Sequence, residues 1–472
     1  MLAGEEPVVL HQAVDFRKAR LGTVEDCAKV VEFLATDLSD YVTGAVSTIG
    51  LDIAKHSVPP PRRLVTRMGL GGDISKCVTL GRTGLKIVPS LVRQRCGPAR
   101  RGSTSMKIVI LKLVALMAVA LMAPTLTHGA DEPQPQEADV EVHDFALQDG
   151  QHLPILKLHY TTLGVPKRDA SGKVINAVVL LHGTTQTGKA FLAPTLANNL
   201  FKPDQPLDAN RFYIILPDGI GAGGSTKPSD GLRARFPHYG YIDQVEAQYA
   251  MLIGMGIDHL KLVAGISQGG MQTWLWGERH PDFMDALVPI ASLPIQISGR
   301  NLIWRQIIIR AIRNDPDWHG GDYDPAHAPT LWMQTAAPLL TMMVLNPEKL
   351  QAAGPDRAKT LAFYDQLVAQ YRGRDANDYL YDFESSSDYD PAPDVGKIKA
   401  RLLAISFLDD EVNPPQFTVL QQTIARLPSA RLATLPGGDS GYGHLGIFHA
   451  ELWAKEVGDY LDQVPGWKGT SN

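Results

Sequence analysis

The segment that most constrains this chain is HLKLVAGISQGGMQTWLWGERHP, which covers residues 259–281. An apolar run leads into the pattern G-I-S-Q-G and an amphipathic stretch follows, which is the order strand, sharp turn, helix. A serine at such a turn, here Ser267, projects its hydroxyl above the edge of a sheet, where a base can reach it. Gly265 and Gly269 flank the serine because a Cβ at either position would collide with the neighbouring strand or helix. The segment therefore predicts a nucleophilic serine, in preference to a purely structural glycine-rich turn.

Around this turn the chain alternates between strand-like and helical patterns. The strand-like runs cover residues 174–181, 211–217, 259–266, 285–292, 401–407 and 430–436. Several of these runs are continuously apolar, as parallel strands covered on both faces require. Helical patterns such as YIDQVEAQYAMLIGMG fill the gaps between them. The alternation predicts an α/β fold with a mostly parallel, doubly wound sheet.

Between residues 298 and 397 the strand pattern stops. Helical segments such as RNLIWRQIIIRAIRND, APTLWMQTAAPLLTMMVL and RAKTLAFYDQLVAQYRGR occupy this stretch. We therefore expect a helical lid inserted between two strands of the core sheet. Trp304, Trp332 and several methionines on its apolar faces are candidates for lining a substrate tunnel, and ordinary packing against the core is the alternative.

A serine nucleophile needs a base, and the base needs an acid that fixes its tautomer. In the α/β-hydrolase arrangement the acid follows a late strand and the histidine follows the last one. RLLAISF is followed by LDDEVNPP, in which we choose Asp410 as the acid over Asp409 and Glu411. ARLATLP is followed by the glycine-rich GGDSGYGH, which makes His444 the predicted base. The nearest competitor, His449, falls inside the terminal helix pattern.

The third requirement is an oxyanion hole made of two backbone N–H groups. One donor is expected from the residue after the nucleophile, Gln268. The other should come from the loop after the third strand, which reads HGTTQTG, with the amide of Thr184 as the donor. His182 at the start of this loop is interpreted as a hydrogen-bonding organiser of the loop, in preference to a proton carrier.

Residues 106–130, MKIVILKLVALMAVALMAPTLTHGA, have the layout of a secretory signal peptide. They carry a start-like Met106, early lysines, an apolar run and small residues near the end, and the run is too short for a comfortable membrane span. If translation starts at Met106, the mature protein is a periplasmic or secreted α/β domain over residues 131–472, opening on a polar linker. Otherwise the apolar stretch is an internal linker and the compartment is unknown.

Residues 1–105 do not fit the α/β pattern. Residues 1–60 contain EDCAKVVEFLATDLSDYVTG and resemble the C-terminal tail of a short-chain dehydrogenase. No glycine-rich dinucleotide loop precedes them, so this part is interpreted as a remnant or an upstream gene fragment. Residues 61–105 are rich in Arg, Gly and Pro without clear periodicity and are expected to be disordered or untranslated.

Charge and ligand spacing exclude several function classes. The net charge is −5, and the sequence has no run of Lys and Arg of the kind that binds a phosphate backbone, so nucleic-acid binding is not expected. Cys27, Cys77 and Cys96 all precede the α/β part, which therefore uses no disulfide or thiolate metal site. The histidines lack metal-ligand spacing, and GIGAGG at 219–224 lacks the register of a nucleotide loop. We expect no metal and no bound cofactor.

With these motifs in hand, residues from about 140 to 465 resemble the homoserine O-acetyltransferase-like branch of the α/β-hydrolase superfamily. The resemblance rests on PDGIGAGGSTKPSDGLRARFPHYGYIDQVEAQY, GISQGGMQTWLWGERHPDFMDALVPIAS, AIRNDPDWHGGDY, and DDEVNPPQ followed by GYGHLG. It implies that Ser267, Asp410 and His444 form the triad and that an acyl-serine intermediate passes its acyl group to an alcohol.

The chain also departs from that family. The G-L-x-x-A-R and T-Y-R segments expected after the GGDY motif are missing, and the position of a family arginine holds Ile309, with Arg310 beside it. A pocket for a zwitterionic amino acid needs a fixed cation for its carboxylate, and we expect that cation to be lost. The sequence thus predicts an exported ester hydrolase acting on a small-molecule acyl ester.

Two other functions remain open. One is an O-acyltransferase of the homoserine O-acetyltransferase type, with acyl-CoA as co-substrate only. The other is a non-catalytic binding protein with a hydrolase fold. The oligomeric state is open as well, with a homodimer through the lid as one arrangement.

Overall fold

The computed structural model describes residues 79–81, 84–86, 133–436 and 441–467. The chain divides into two compact units, Met1–Val119 and Ala120–Asn472. In the first unit the described residues form two short antiparallel strands, β1 (Thr79–Gly81) and β2 (Gly84–Lys86).

Three expectations about the N-terminal part fall outside the described residues. They are the dehydrogenase-like stretch at 1–60, the signal peptide at 106–130 and the three cysteines.

The second unit is built on an eight-stranded sheet. Its strands are β3 (Gln136–Ala146), β4 (His152–Leu163), β5 (Ala177–Leu181), β6 (Tyr213–Pro217), β7 (Leu260–Ile266), β8 (Met284–Ile290), β9 (Arg401–Phe407) and β10 (Ala430–Leu435). Across the sheet they are ordered β10-β9-β8-β7-β5-β6-β4-β3. Strands β5 to β10 pair in parallel, whereas β3 and β4 join as an antiparallel extension beside β6. The predicted mostly parallel sheet is confirmed, and each of its six predicted strands is present.

The antiparallel extension was not predicted. The sequence suggested a polar linker up to residue 141, but β3 begins at Gln136. The linker prediction was wrong because this edge strand buries little: Val140 and Val142 are half-buried, and Phe145 is the buried residue of the strand. Charged side chains on an edge strand also discourage pairing with other chains, so its composition resembles that of a loop.

Helices cover both faces of the sheet. They are α1 (Pro194–Leu200), α2 (Tyr241–Gly254), α3 (Gln268–Arg279), α4 (Gly299–Arg313), α5 (Met333–Val344), α6 (Pro347–Ala353), α7 (Arg357–Gln370), α8 (Ala376–Glu384), α9 (Val419–Arg426) and α10 (Ala454–Leu461). Successive residues of a strand point to opposite faces, so β5 contributes to two cores. Val179 and Leu181 pack with α2 and α3, and Val178 and Leu180 pack with α1 and α10. Because strands β5 to β10 run parallel, their carboxyl ends lie along one edge of the sheet.

A helical insertion separates β8 from β9. It contains α4 to α8, all five of which lie between residues 299 and 384, and the described residues of this stretch include no strand. Helices α4, α5, α7 and α8 share a third apolar cluster in which Trp332 is almost fully buried. Within the described ranges, no helix is both long and apolar enough to cross a membrane.

Candidate active site

The turn that carries Ser267 lies between the end of β7 and the start of α3. Ser267 has φ 54° and ψ −112°, a strained backbone that directs its side chain away from the sheet. A Cβ on Gly265 would lie 2.2 Å from the carbonyl oxygen of Gly269, and one on Gly269 would lie 2.0 Å from that of Leu181. These separations are far below van der Waals contact, so the turn requires both glycines.

Replacing Gly269 with alanine should destabilise the fold. The added methyl meets rigid backbone, and overpacking of this kind costs about 1–3 kcal/mol or more. Gly396→Ala is the matched control because nothing lies within 4 Å of its added Cβ. Urea unfolding followed by circular dichroism should show a lower midpoint for Gly269→Ala and a change of less than about 0.5 kcal/mol for the control. An unchanged midpoint for Gly269→Ala would contradict the close packing of this turn.

The structure brings Ser267, His444 and Asp410 together. His444 Nε2 lies 2.8 Å from Ser267 Oγ, and His444 Nδ1 lies 2.9 Å from Asp410 Oδ2. His444 is 4% exposed and Asp410 2% exposed. A hydroxyl, an imidazole and a carboxylate are thus connected in series, with the imidazole shielded from bulk water.

The Asp410 carboxylate is held by its own loop. Oδ1 accepts hydrogen bonds from the backbone N–H groups of Val412 (2.8 Å) and Asn413 (3.1 Å). Burial works against the charged form, but the charge and hydrogen bond of His444 and these two backbone donors outweigh it, so the pKa of Asp410 is lowered. The carboxylate is therefore ionised at neutral pH, as a partner of an imidazole that gains a proton must be.

The competing residues have other partners. Asp409 Oδ2 accepts the backbone N–H of Gly443 at 2.8 Å, which ties the loop of the acid to the loop of the histidine. Glu411 forms an ion pair with Arg300 at the surface. His449 stacks on Tyr442 at 3.5 Å between ring centroids. None of the three reaches Ser267.

The two predicted oxyanion donors lie close to the nucleophile. Gln268 is the first residue of α3, so its N–H has no acceptor in the preceding turn. A Cβ built on Gly183 would lie 3.6 Å from Ser267 Cβ, which puts the loop of Thr184 against the nucleophile. Among the described residues, neither the Thr184 nor the Gln268 backbone N–H is taken up by a backbone or side-chain acceptor. Both amides thus have unused hydrogens beside Ser267.

His182 holds the base of that loop. The backbone N–H of Gly219 can only donate, so His182 Nε2 accepts its hydrogen bond (3.0 Å). The proton of the neutral ring is then on Nδ1, which donates to the carbonyl oxygen of Gly183 at 2.8 Å. These contacts fit the interpretation of His182 as a loop organiser.

A cavity of about 150 Å³ adjoins Ser267 and His444. The apolar side chains around it come from the insertion, from the loop after β9 and from the segment after His444: Leu340, Met343, Val344, Phe383, Val412, Leu445, Ile447 and Phe448. A cavity of about this volume can hold a molecule the size of benzene. Trp304 and Trp332, suggested as tunnel residues, are not part of the lining. Trp332 packs in the core of the insertion, and Trp304 lies under the guanidinium of Arg300.

One polar residue of the lining was missed by sequence reasoning. Arg305 on α4 lies against the cavity and is 5% exposed. Its Nε donates a hydrogen bond to Asn301 Oδ1 (3.0 Å) and its Nη1 donates one to Ser386 Oγ (3.2 Å). Both of these partners are neutral side chains. The expectation that the pocket had lost its fixed cation was wrong, because it considered only positions 309 and 310. Arg305 lies one helical turn before Ile309.

Metal ligands do not cluster in the part of the chain that the structure describes. No group of three or more His, Cys, Asp or Glu side chains there could hold a metal ion.

Comparisons with known proteins agree with this architecture. Residues 176–448 match the family model described as the alpha/beta hydrolase fold. A homoserine O-succinyltransferase of Leptothrix cholodnii is 30% identical over 305 residues, covering 56% of this chain and 79% of that enzyme. A homoserine O-acetyltransferase of Thermobifida fusca is 35% identical over 191 residues, which is 38% of this chain and about half (49%) of that enzyme.

Solved structures share the fold. A homoserine O-acetyltransferase from Bacillus anthracis superposes with a TM-score of 0.62 at 19% identity, covering 70% of this chain and 98% of that one. An acetylester hydrolase from Corynebacterium glutamicum gives a TM-score of 0.61 at 21% identity, covering 70% and 96%. The chain therefore belongs to the α/β-hydrolase fold family, in the branch of enzymes that includes the homoserine O-acyltransferases.

Proposed function

We propose that this protein is a serine ester hydrolase that works through an acyl-serine intermediate at Ser267. The observation that carries the proposal is the hydrogen-bonded series from Ser267 Oγ through His444 to Asp410, at 2.8 Å and 2.9 Å, beside a small apolar cavity. The cavity volume favours esters with a short acyl group. The acid and base come from the chain itself, so no cofactor is required.

The reaction proceeds in two halves. His444 Nε2 takes the proton of Ser267 as its oxygen attacks the ester carbonyl carbon, and the backbone N–H groups of Thr184 and Gln268 stabilise the oxyanion. The bond to the alcohol oxygen then breaks and that oxygen takes the proton from His444. In the second half a water gives a proton to His444 and attacks the carbonyl carbon of the acyl-serine. The bond to Ser267 Oγ then breaks, that oxygen takes the proton from His444, and the free acid leaves.

Water is proposed as the acceptor because of the segment at residues 106–130. Its layout supports export, and acetyl-CoA and homoserine are cytoplasmic, so an exported enzyme would not meet them. The likeness to an acetylester hydrolase fold is compatible with this choice.

A second candidate, O-acyl transfer to an alcohol that bears a carboxylate, is favoured by Arg305. A buried guanidinium with neutral hydrogen-bond partners in the lining of the cavity is suited to a carboxylate. The Leptothrix and Thermobifida relatives are a succinyltransferase and an acetyltransferase of homoserine. For this function acyl-CoA would be the donor.

The fate of the acyl group tests the proposal. With p-nitrophenyl acetate as the donor, we expect the purified protein to release acetate, with little change in rate or product when homoserine is added. With acetyl-CoA as the donor we also expect acetate as the product, with little change in rate or product when homoserine is added. The products are quantified by mass spectrometry.

Formation of O-acetylhomoserine faster than acetate would contradict the hydrolase and support the second candidate. In that case Arg305→Met should raise the KM for homoserine, whereas Arg310→Met, at an exposed position on the same helix, should not.

A further inference from the structure

Asp382 on α8 joins the helical insertion to the loop of the predicted oxyanion donor. Its Oδ2 accepts the backbone N–H of Thr185 at 2.6 Å, although the two residues are 197 positions apart. Thr185 directly follows Thr184 and has φ 61°, a left-handed conformation that costs a residue other than glycine energy unless its surroundings hold it. The hydrogen bond from Thr185 to the Asp382 carboxylate stabilises this conformation, and the carboxylate lies outside the loop.

The Gln268 side chain lies near the same carboxylate. Burial raises the pKa of Asp382, and the hydrogen bond from the Thr185 backbone N–H is the largest influence that opposes the rise, with the Gln268 side chain and the Arg305 guanidinium acting in the same direction. The Gln268 side chain is 1% exposed, so it has little freedom to find another partner in solvent. One buried carboxylate thus binds the residue after the first predicted donor and lies near the side chain of the second.

A carboxylate that is 8% exposed carries a desolvation cost that a neutral side chain would avoid. No ion pair within 4 Å between described residues includes Asp382, and the largest compensation for its burial is the hydrogen bond from the Thr185 backbone N–H. The helix contains a useful comparison: Asp378, one turn earlier, accepts the backbone N–H and the hydroxyl of Ser229, away from the triad. Two acids on one helix therefore hold two core loops, and Asp382 holds the loop that adjoins Ser267.

We propose that Asp382 is a positioning residue that fixes the loop carrying the Thr184 oxyanion donor. This inference rests on the proposed acyl-serine chemistry. Through Thr185 the carboxylate sets the direction of the Thr184 amide, one of the two predicted donors. The insertion thereby takes part in stabilising the transition state as well as in shaping the cavity.

The test compares Asp382→Ala, Asp382→Asn and the control Asp378→Ala with the wild type. Loss of one oxyanion donor lowers kcat by about 10²–10³-fold, so displacing a donor should lower it by roughly 10–100-fold in Asp382→Ala, with KM changed by less than about twofold. Asparagine keeps an oxygen that can accept from Thr185, so Asp382→Asn should stay within a few-fold of the wild type. Asp378→Ala should keep kcat.

A trifluoromethyl ketone gives the readout that a general loss of structure would not. It adds to a serine nucleophile as a tetrahedral oxyanion, so its inhibition constant should rise in Asp382→Ala by the same factor as kcat falls. If the alanine variant does not fold, Asp382→Glu takes its place, because it keeps the charge and displaces it by one methylene. It should also lower kcat while leaving KM almost unchanged.

Three outcomes overturn the inference. If folded Asp382→Ala keeps full kcat, this inference is contradicted and the proposed function is not. The same applies if the substitution raises KM but leaves kcat and the affinity for the ketone unchanged. A wild type without Ser267-dependent turnover contradicts the proposed function and this inference with it.

Discussion

Ser267→Ala is expected to lower kcat for ester hydrolysis by about 10⁶-fold, since removing the nucleophile of a serine triad costs about that much. The variant should also fail to form a covalent adduct with a fluorophosphonate probe, because the probe reacts with the activated oxygen that the substitution removes. Intact-mass measurement after incubation with the probe checks both the stoichiometry and the site.

Ser298→Ala is the matched control for this experiment. Ser298 precedes α4 and its side chain makes no capping hydrogen bond, so the substitution should leave labelling and turnover unchanged. Full labelling of Ser267→Ala would put the nucleophile elsewhere. A folded wild type that does not react at all would favour the non-catalytic binding protein.

Asp410→Asn is expected to give the second largest effect, a loss of kcat of about 10⁴-fold. In the wild type the Asp410 carboxylate accepts a hydrogen bond from Nδ1–H of His444. This keeps the proton of the ring on Nδ1 and leaves Nε2 free to take the serine proton. An amide in its place can donate to Nδ1 and favour the wrong tautomer. Steady-state kinetics should show the loss in kcat with KM little changed.

Asp409→Asn separates the two neighbouring acids. The Asp409 oxygen accepts the N–H of Gly443, and an asparagine oxygen can do the same, so we expect its kcat within about tenfold of the wild type. If Asp409→Asn were the more damaging of the two, the assignment of the acid would be wrong.

The lowered pKa of Asp410 also sets the sign of a stability effect. A carboxyl group whose pKa is lower in the folded than in the unfolded chain contributes stability above its ordinary value, near pH 4, and that stability is lost as the pH falls toward the lowered pKa. Asp410→Asn has no carboxyl group at this position to contribute. The stability of the wild type relative to the variant should therefore decline below about pH 4.

The parts of the site that could be predicted from sequence are those attached to the ends of strands. Ser267 and Asp410 follow the buried strands β7 and β9, and His444 follows β10, whose residues are half-buried or exposed. Because these strands run parallel, their carboxyl ends lie at one edge of the sheet. Glycines at the serine turn were predicted for a steric reason, and the separations of 2.0 Å and 2.2 Å agree with it. The helical nature of the insertion could be predicted from its periodicity.

What could not be predicted depends on how the insertion packs on the core. Arg305 and Asp382 belong to helices whose patterns show which residues are apolar, but not which polar side chain meets the loop at Thr185. The edge strand β3 was missed for a different reason, because a strand with mostly exposed side chains has no apolar run to mark it.

The separation of Ser267 and His444 along the chain has a consequence for protein synthesis. The two residues are 177 positions apart, and His444 follows the last strand of the sheet. At about 5–20 residues per second, ribosomes would need roughly 9–35 s to add the base after the nucleophile. A nascent chain therefore carries a serine that has no base to activate it until almost the whole domain has emerged. Completion of the C-terminal strands is in this sense the step that makes the serine reactive.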